Sequence, residues 1–161
     1  MTQSYIGFGS NVGDRILFVR RAVEELDDTA GVRVTRVSGL YETSPVGGPP
    51  QRSFVNCVAS IDTDLTPRQL LVVCKEIEDK LGRDASEIRW GPRIIDLDVL
   101  TYGEDKVSEP DLEIPHPRIR ERRFVLVPLL EIAPHETDPW GTPFADSLDE
   151  AEGNVDFLES W

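Results

Sequence analysis

The order of strand-like and helix-like patterns between residues 3 and 102 constrains the fold of this chain more than any other feature. These patterns follow one another as strand, helix, strand, strand, helix and strand, and a proline- and glycine-rich loop separates the second strand from the third. Two strands joined by a loop pair most simply as an antiparallel hairpin. The pattern therefore predicts an α+β fold with a ferredoxin-like βαββαβ core and additional C-terminal helices and loops.

Alternating apolar residues and helix-end signals place the individual elements. Strands are predicted at 3–9, 32–42, 54–63 and 94–102. The first helix has Asp14 near its positive end, and the second begins with capping-box spacing at Thr66 and stops at Gly82. Beyond the fourth strand, the sequence predicts a loop to Pro115, a short helix ending at Leu130 and an acidic tail without predictable structure.

The alternation within the third strand assigns its side chains to two faces of the sheet. One face is apolar and should be covered by both helices, through Val55, Cys57, Ala59 and Ile61. Phe54 and Asn56 share the opposite face, and Asp96 and Asp98 of the fourth strand join them there. The prediction thus brings an aromatic ring, an amide and two carboxylates to one face.

Composition and charge limit the possible functions. A chain of 161 residues suits a single domain, 1–161, with an acidic tail from about 135. Its net charge of −13 argues against nucleic-acid binding, which depends on basic surface. Eight of the 17 basic residues nevertheless lie between Arg83 and Arg123. This concentration predicts a cationic pocket for an anionic ligand on an otherwise acidic body.

The sequence also gives expectations about location and thiol chemistry. It contains no apolar run long enough for a membrane helix and no visible secretory signal, so a cytoplasmic protein without membrane contact is expected. Cys57 and Cys74 fall within apolar patterns and are expected to be buried free thiols. A monomer is expected.

Asp96 and Asp98 stand two positions apart in an apolar run, shortly after Arg89 and Arg93. On a solvated edge strand such a pair has no special role, and taken alone it would favour that interpretation. The interleaved apolar residues indicate a half-buried strand, where neighbouring carboxylates repel each other unless a cation lies between them. Two hard oxygen ligands suit Mg²⁺, which takes further ligands from water and substrate phosphates. With arginines available to clamp phosphate oxygens, the segment predicts a magnesium–nucleotide phosphotransfer site.

Two other groups of candidate residues are less specific. Gly7, Gly9 and Gly13 lie between a strand and a helix, but their spacing departs from the dinucleotide-binding pattern, which favours a tight structural turn. Asn56 beside Phe54 suits a flat heterocycle, since a ring can stack on it while an amide bonds its edge. A structural amide that caps the neighbouring loop is an equally good interpretation of Asn56.

Residues 115–124 leave further alternatives open. His116 lies between two prolines that stiffen the turn, so it is either presented to a ligand or exposed in a loop. Four arginines follow, at 118, 120, 122 and 123, and at most two of them are expected to reach a ligand. Phe124 is either a second aromatic wall or an ordinary core residue. His135 has no partner at a useful spacing and is expected at the surface.

Assembled in order, these motifs resemble the 6-hydroxymethyl-7,8-dihydropterin pyrophosphokinase family of folate biosynthesis. The resemblance runs from Tyr5 to about Pro134, and its most specific part is Arg-Trp-Gly-Pro-Arg at 89–93 followed by Asp-Leu-Asp at 96–98. The other matching segments are 5–11, 41–45, 54–56 and 115–117. The resemblance implies transfer of pyrophosphate from ATP to the hydroxymethyl group of a reduced pterin, with release of AMP.

The resemblance also implies a role for each matching residue. Asp96 and Asp98 would bind two Mg²⁺ ions and, with Arg83 and Arg93, form the catalytic set. The pterin would be held by Thr43, Ser44, Pro45, Val46, Gly47, Phe54, Asn56, Trp90, Asp96 and Phe124. ATP would be held by Glu78, Arg89, Trp90, Arg93, Val99, His116 and Arg122.

Two rival classes are less well supported by the sequence. A catalytically silent nucleotide sensor on the same fold would not need the intact set of Asp96, Asp98, Arg83 and Arg93. An RNA-binding domain of similar topology is disfavoured by the acidic charge and by the missing basic-aromatic strand signature.

Overall fold

The structure, a computed structural model, describes residues 1–45, 47–48, 50–82 and 94–161. Three α-helices accompany the strands in these ranges: α1 (Arg15–Asp27), α2 (Pro67–Lys80) and α3 (Arg123–Ile132). The strands are β1 (Thr2–Ser10), β2 (Val32–Val37), β3 (Leu40–Thr43), β4 (Phe54–Thr63), β5 (Asp96–Tyr102), β6 (Val107–Glu109), β7 (Leu112–Ile114) and β8 (Val155–Glu159).

Six of the strands form one antiparallel sheet in the order β5-β1-β4-β3-β8, with β2 also paired to β4. The strands β1 and β4 lie at the centre and pair over their whole length, from Thr2 opposite Thr63 to Ser10 opposite Val55. This arrangement is the predicted ferredoxin-like core, extended at one edge by β8. The remaining strands, β6 and β7, form a separate hairpin.

Both faces of the sheet are covered by helices. As predicted, α1 and α2 pack on one face, where Phe8, Cys57 and Leu97 are buried against residues such as Leu26 and Leu70. On the opposite face α3 packs over a second apolar cluster that includes Tyr5, Val58, Leu100, Leu126 and Leu129. The sheet therefore separates two cores, and side-chain alternation decides which of them each strand residue enters.

The predicted helix starts and buried thiols are confirmed. Asp14 caps α1 by accepting a hydrogen bond from the Leu17 N–H. A complete capping box at Thr66 and Gln69 begins α2. Cys57 and Cys74 are free and buried, and burial raises the pKa of the Cys74 thiol to about 12. Within the described ranges, none of the helices is both long enough and apolar enough to cross a membrane.

The predicted second strand, 32–42, is in fact two strands interrupted at Ser38 and Gly39. The hydroxyl of Ser38 accepts from the Val58 N–H, and the Gly39 N–H donates to the Glu131 carboxylate on α3. These bonds redirect the chain between β2 and β3, so both strands still pair with β4. The third helix ends at Ile132 rather than Leu130.

The C-terminal third holds more structure than its sequence suggests. The predicted loop before Pro115 contains the β6–β7 hairpin. The acidic tail contains a short 3-10 helix, Phe144–Ser147, and strand β8. Phe144 is fully buried in the α3 cluster, and Arg120 bonds the side chains of Asp138 and Ser147. These contacts fold the tail back onto the molecule.

Candidate active site

A cleft of about 610 Å³ lies between the loop after β3, the β6–β7 hairpin and the start of α3. It brings together most of the residues that the sequence predicts for the site. Those that line it are Thr43, Ser44, Pro45, Phe54, Asn56, Glu78, Asp96, Asp98, Val99, His116, Arg122 and Phe124. Gly47 is exposed and lies outside this lining, whereas Val46, Arg83, Arg89, Trp90 and Arg93 fall outside the described residues.

The two carboxylates project from the same side of β5 into the cleft. Leu97, which lies between them, and Val99, which follows them, point to the opposite side of the sheet and are buried in the core beneath α1 and α2. Because β5 is at an edge of the sheet, Asp98 is solvent-exposed and Asp96 is half-buried. The predicted half-buried strand is thus confirmed, and the carboxylates face a cleft in which several other candidate residues converge.

Two glycines of β1 lie directly beside these carboxylates. Gly9 pairs with Asp96 and Gly7 pairs with Asp98 across the β1–β5 ladder. On its other side Gly9 pairs with Asn56 of β4, so Asn56, Gly9 and Asp96 form one row across three strands. A β-carbon on Gly9 would come within 2.7 Å of the Asn56 Nδ2 atom. The row therefore needs a residue without a side chain at its centre.

This row corrects the interpretation of the glycine-rich segment as a tight turn. Gly7 and Gly9 lie inside β1, and of the three glycines only Gly13, with φ of 67°, takes a turn conformation. Both line the cleft, and Gly9 leaves the space above the strand that the Asn56 amide needs, whereas a β-carbon on Gly7 would make only ordinary contacts with Leu100. Sequence reasoning missed this role because it depends on strand register, although glycines at alternate positions of one strand were an available signal.

The amide of Asn56 is almost completely buried and held in one orientation. Its Oδ1 accepts from the Thr43 hydroxyl, and its Nδ2 donates to the Phe8 carbonyl at 3.2 Å. An amide has two donors and two acceptor lone pairs, so one of each is left for a ligand above Gly9. Phe54 lies at the start of the same strand and Phe124 lies on α3, and both are half-buried and line the cleft.

A basic and aromatic group lies opposite the carboxylates. Burial lowers the pKa of His116, although the nearby Asp98 charge opposes the shift. The Nδ1 atom of His116 accepts a hydrogen bond from the Arg118 N–H, which leaves Nε2 protonated in the neutral ring. Arg122 stacks over the Phe124 ring at 5.4 Å and is electrostatically coupled to Asp98. Both side chains can therefore donate to an anionic ligand.

Glu78 of α2 connects the helix layer to the carboxylate pair. It is 6% exposed, and its Oε2 atom accepts from the N–H of Leu97 at 2.9 Å. Leu97 is the residue between Asp96 and Asp98, so this bond fixes the backbone from which both carboxylates project. The resemblance assigned Glu78 to the nucleotide, and the structure adds this bond to β5.

Replacing Glu78 with alanine is expected to destabilise the fold and misalign the carboxylates. The Leu97 N–H would lose its partner, which costs about 1–3 kcal/mol and lowers Tm by about 5 °C. Glu78→Gln keeps an acceptor of the same shape and should retain most of the stability. Thermal unfolding of the two variants is the measurement, and an alanine variant as stable as the glutamine variant would contradict the assignment.

The donor set in the cleft fits a divalent cation that keeps water and substrate ligands. Within the described ranges no group of three or more His, Cys, Asp or Glu side chains could hold a metal ion. Two carboxylates at alternate strand positions are a poor site for zinc or calcium. They suit Mg²⁺, because this ion is commonly held by one or two carboxylates together with substrate phosphates.

The cleft thus joins two carboxylates, basic side chains and two aromatic rings on a ferredoxin-like fold. A family model described as 7,8-dihydro-6-hydroxymethylpterin-pyrophosphokinase matches residues 5–134. The chain is 52% identical over 134 residues to the 2-amino-4-hydroxy-6-hydroxymethyldihydropteridine pyrophosphokinase of Methylorubrum extorquens, covering 83% of this chain and 84% of that enzyme. It is 48% identical over 129 residues to the Bacillus subtilis enzyme of the same name, covering 80% and 77%.

Solved structures agree on the fold. The chain superposes on the Plasmodium falciparum HPPK-DHPS protein with a TM-score of 0.69 and 15% identity, covering 93% of this chain but 43% of that protein. The chain thus spans less than half of that longer protein. From the family match and these relatives, the chain belongs to the 6-hydroxymethyl-7,8-dihydropterin pyrophosphokinase family and is a transferase of folate biosynthesis.

Proposed function

We propose that the pterin lies over Gly9, between Asn56 and Asp96, during transfer of pyrophosphate from ATP to its hydroxymethyl group. Adjacent strands are about 4.8 Å apart, so the row from Asn56 to Asp96 spans about 10 Å. This length suits a two-ring heterocycle whose polar edge bonds Asn56 and whose hydroxymethyl group points toward Asp96. Phe54 and Phe124 supply the stacking surfaces. The three-strand row is the observation that carries this proposal.

The nucleotide would occupy the other half of the cleft. His116 and Arg122 donate to phosphate oxygens there, and Val99 would contact the nucleotide through its backbone. In the reaction, the hydroxymethyl oxygen forms a bond to the β-phosphorus, and its O–H bond breaks with release of the proton to water. The bond from that phosphorus to the α–β bridging oxygen breaks, and AMP leaves with the bridging oxygen. Reactions of this kind need positioning and charge neutralisation more than covalent help from the protein.

Asp96 and Asp98 are the residues that would hold Mg²⁺, and two ions are expected. When bound, Mg²⁺ neutralises charge on the phosphate oxygens and orients them for in-line displacement. Arg83 and Arg93 are proposed to add positive charge at the transferring group. Arg89 and Trp90 are proposed to bind the nucleotide. Trp90 is also proposed to bind the pterin, together with Val46 and Gly47 of the loop after β3. These assignments rest on the resemblance of the sequence motifs.

Three further properties are proposed from the sequence. The chain is expected to act as a single domain, as a monomer and in the cytoplasm. Size-exclusion chromatography with light scattering tests whether the protein is a monomer. A mass of twice 18.1 kDa would contradict it.

The proposed reaction is tested by incubating the protein with ATP, Mg²⁺ and the hydroxymethyl dihydropterin. AMP is expected to form in amounts equal to the pterin diphosphate, and only when the pterin is present. A nucleotide sensor would bind ATP without forming AMP, and an ATP hydrolase would form ADP or AMP without the pterin. Either of those results would contradict the proposal.

A further inference from the structure

Residues 152–154 connect the two walls of the cleft, and we call them the C-terminal clasp. On the nucleotide side, the Glu152 N–H donates to the Glu121 carbonyl at 2.9 Å, and the Glu152 carbonyl accepts from the Arg123 N–H at 3.0 Å. These bonds hold the residues on either side of Arg122, which forms a parallel bridge with Glu152. The clasp thus fixes the backbone that carries the Arg122 guanidinium.

On the pterin side, the clasp holds the loop that follows β3. The Asn154 N–H donates to the Ser44 hydroxyl, and the Asn154 carbonyl accepts from the Ser44 N–H, both at 3.1 Å. Strand β8 continues this contact, because Val155 pairs with Thr43. Thr43 in turn donates to the Asn56 amide. The clasp is therefore connected to the Asn56 amide through two adjacent residues, Thr43 at the end of β3 and Ser44 at the start of the loop.

The clasp is short enough to set the spacing of the two walls. The Cα atoms of its first and third residues are at most about 7 Å apart. Gly153 turns the chain between the two anchors with φ of 113°, a conformation that residues with a side chain rarely adopt. The preceding tail is itself fixed, since Arg123 bonds the Leu148 carbonyl and Phe144 is fully buried.

We propose that the C-terminal clasp is a positioning element of the reaction, which sets the distance between the pterin wall at Ser44 and the nucleotide wall at Arg122. It lies beyond residues 5–134, the part of the chain that matches the family model. The inference rests on the proposed placement of the two substrates. It gives the acidic C-terminal tail a role in turnover in addition to its packing on α3.

The test removes one hydrogen bond of the clasp without changing the cleft lining. Asn154→Pro deletes the N–H that bonds the Ser44 hydroxyl, and Asn154→Ala, the matched control, keeps it at this exposed position. The proline variant should raise the KM for the pterin about three- to tenfold. Its kcat should fall as well, because the hydroxymethyl group is displaced from the transferring phosphate, whereas its KM for ATP and its Tm should stay close to those of the alanine variant.

A second variant tests the turn between the two anchors of the clasp. Gly153→Ala strains the turn between the anchors, so it should raise the KM values for both the pterin and ATP. If Asn154→Pro matches Asn154→Ala in every kinetic constant, the clasp has no positioning role. If the variants lose activity only in proportion to the fraction unfolded, their role is structural and the inference is also wrong.

Failure of the inference can be told apart from failure of the substrate placement. Asn56→Leu, measured in the same assay, changes the proposed pterin contact directly. If it leaves the pterin KM unchanged, the placement over Gly9 is wrong. If it raises the pterin KM while Asn154→Pro does not, the placement stands and the clasp alone is rejected.

Discussion

Replacing Asp98 with asparagine is expected to lower kcat about 10³-fold or more while the protein stays folded. The side chain is exposed on an edge strand, so its substitution removes no core packing. Loss of its charge removes half of the proposed cation site, and such charge stabilisation contributes several kcal/mol, of which each 1.36 kcal/mol is about tenfold in rate. Steady-state turnover and thermal unfolding are the measurements.

Asp105→Asn is the matched control for this prediction. Asp105 is an exposed aspartate in the turn after β5, outside the cleft lining, and it should be replaceable with little effect. The Asp98 variant should also need a higher Mg²⁺ concentration for its residual activity. Turnover near the wild-type value, or an unchanged Mg²⁺ requirement, would contradict the proposal that Asp98 binds the cation.

The core of the fold could be predicted because its signals are local. Alternation at Val55, Cys57 and Ala59 gives the strand and its faces, and Thr66 with Gln69 gives a helix start from four consecutive residues. The features that were not predicted depend on distant partners. The break at Gly39 is made by the carboxylate of Glu131, 92 residues further along the chain.

Strand β8 could not be predicted for a related reason. Its residues are largely exposed, and Leu158 interrupts the alternation that Val155, Asp156 and Phe157 begin, so the local strand pattern is weak. It becomes a strand because it pairs with the free edge of β3. An edge-on contact between the rings of Tyr41 and Phe157 adds to this pairing. A partner supplied by the tertiary structure overrides weak local propensity.

The candidate site likewise contains features that local sequence predicts and features that depend on distant parts of the chain. Residue type and alternation place Asp96, Asp98 and Asn56 on one face of the sheet, and the structure brings them together in the cleft. The position of Gly9 between Asn56 and Asp96 requires the register of three strands, which no local pattern provides. The link from Glu78 to Leu97 likewise requires the packing of α2 against β5.

Asn56→Leu is expected to weaken pterin binding about 100-fold while the KM for ATP stays within about threefold of wild type. Leucine has nearly the shape of asparagine but offers no donor or acceptor to the edge of the ring. Two lost hydrogen bonds, together with polar pterin groups left unpaired, cost about 3 kcal/mol, or about 100-fold. Pterin binding by fluorescence titration and the two KM values are the measurements.

Thr43→Val tests how much of the pterin affinity depends on the orientation of the Asn56 amide, because the amide itself is still present in this variant. This variant removes the hydroxyl that bonds Asn56 Oδ1 but leaves the amide beside Gly9, so its pterin affinity should fall by only about three- to tenfold. The order wild type, Thr43→Val, Asn56→Leu is the expected ranking of pterin affinity. If Asn56→Leu instead binds pterin normally and weakens ATP, the amide belongs to the nucleotide half of the cleft and the placement of the pterin over Gly9 is wrong.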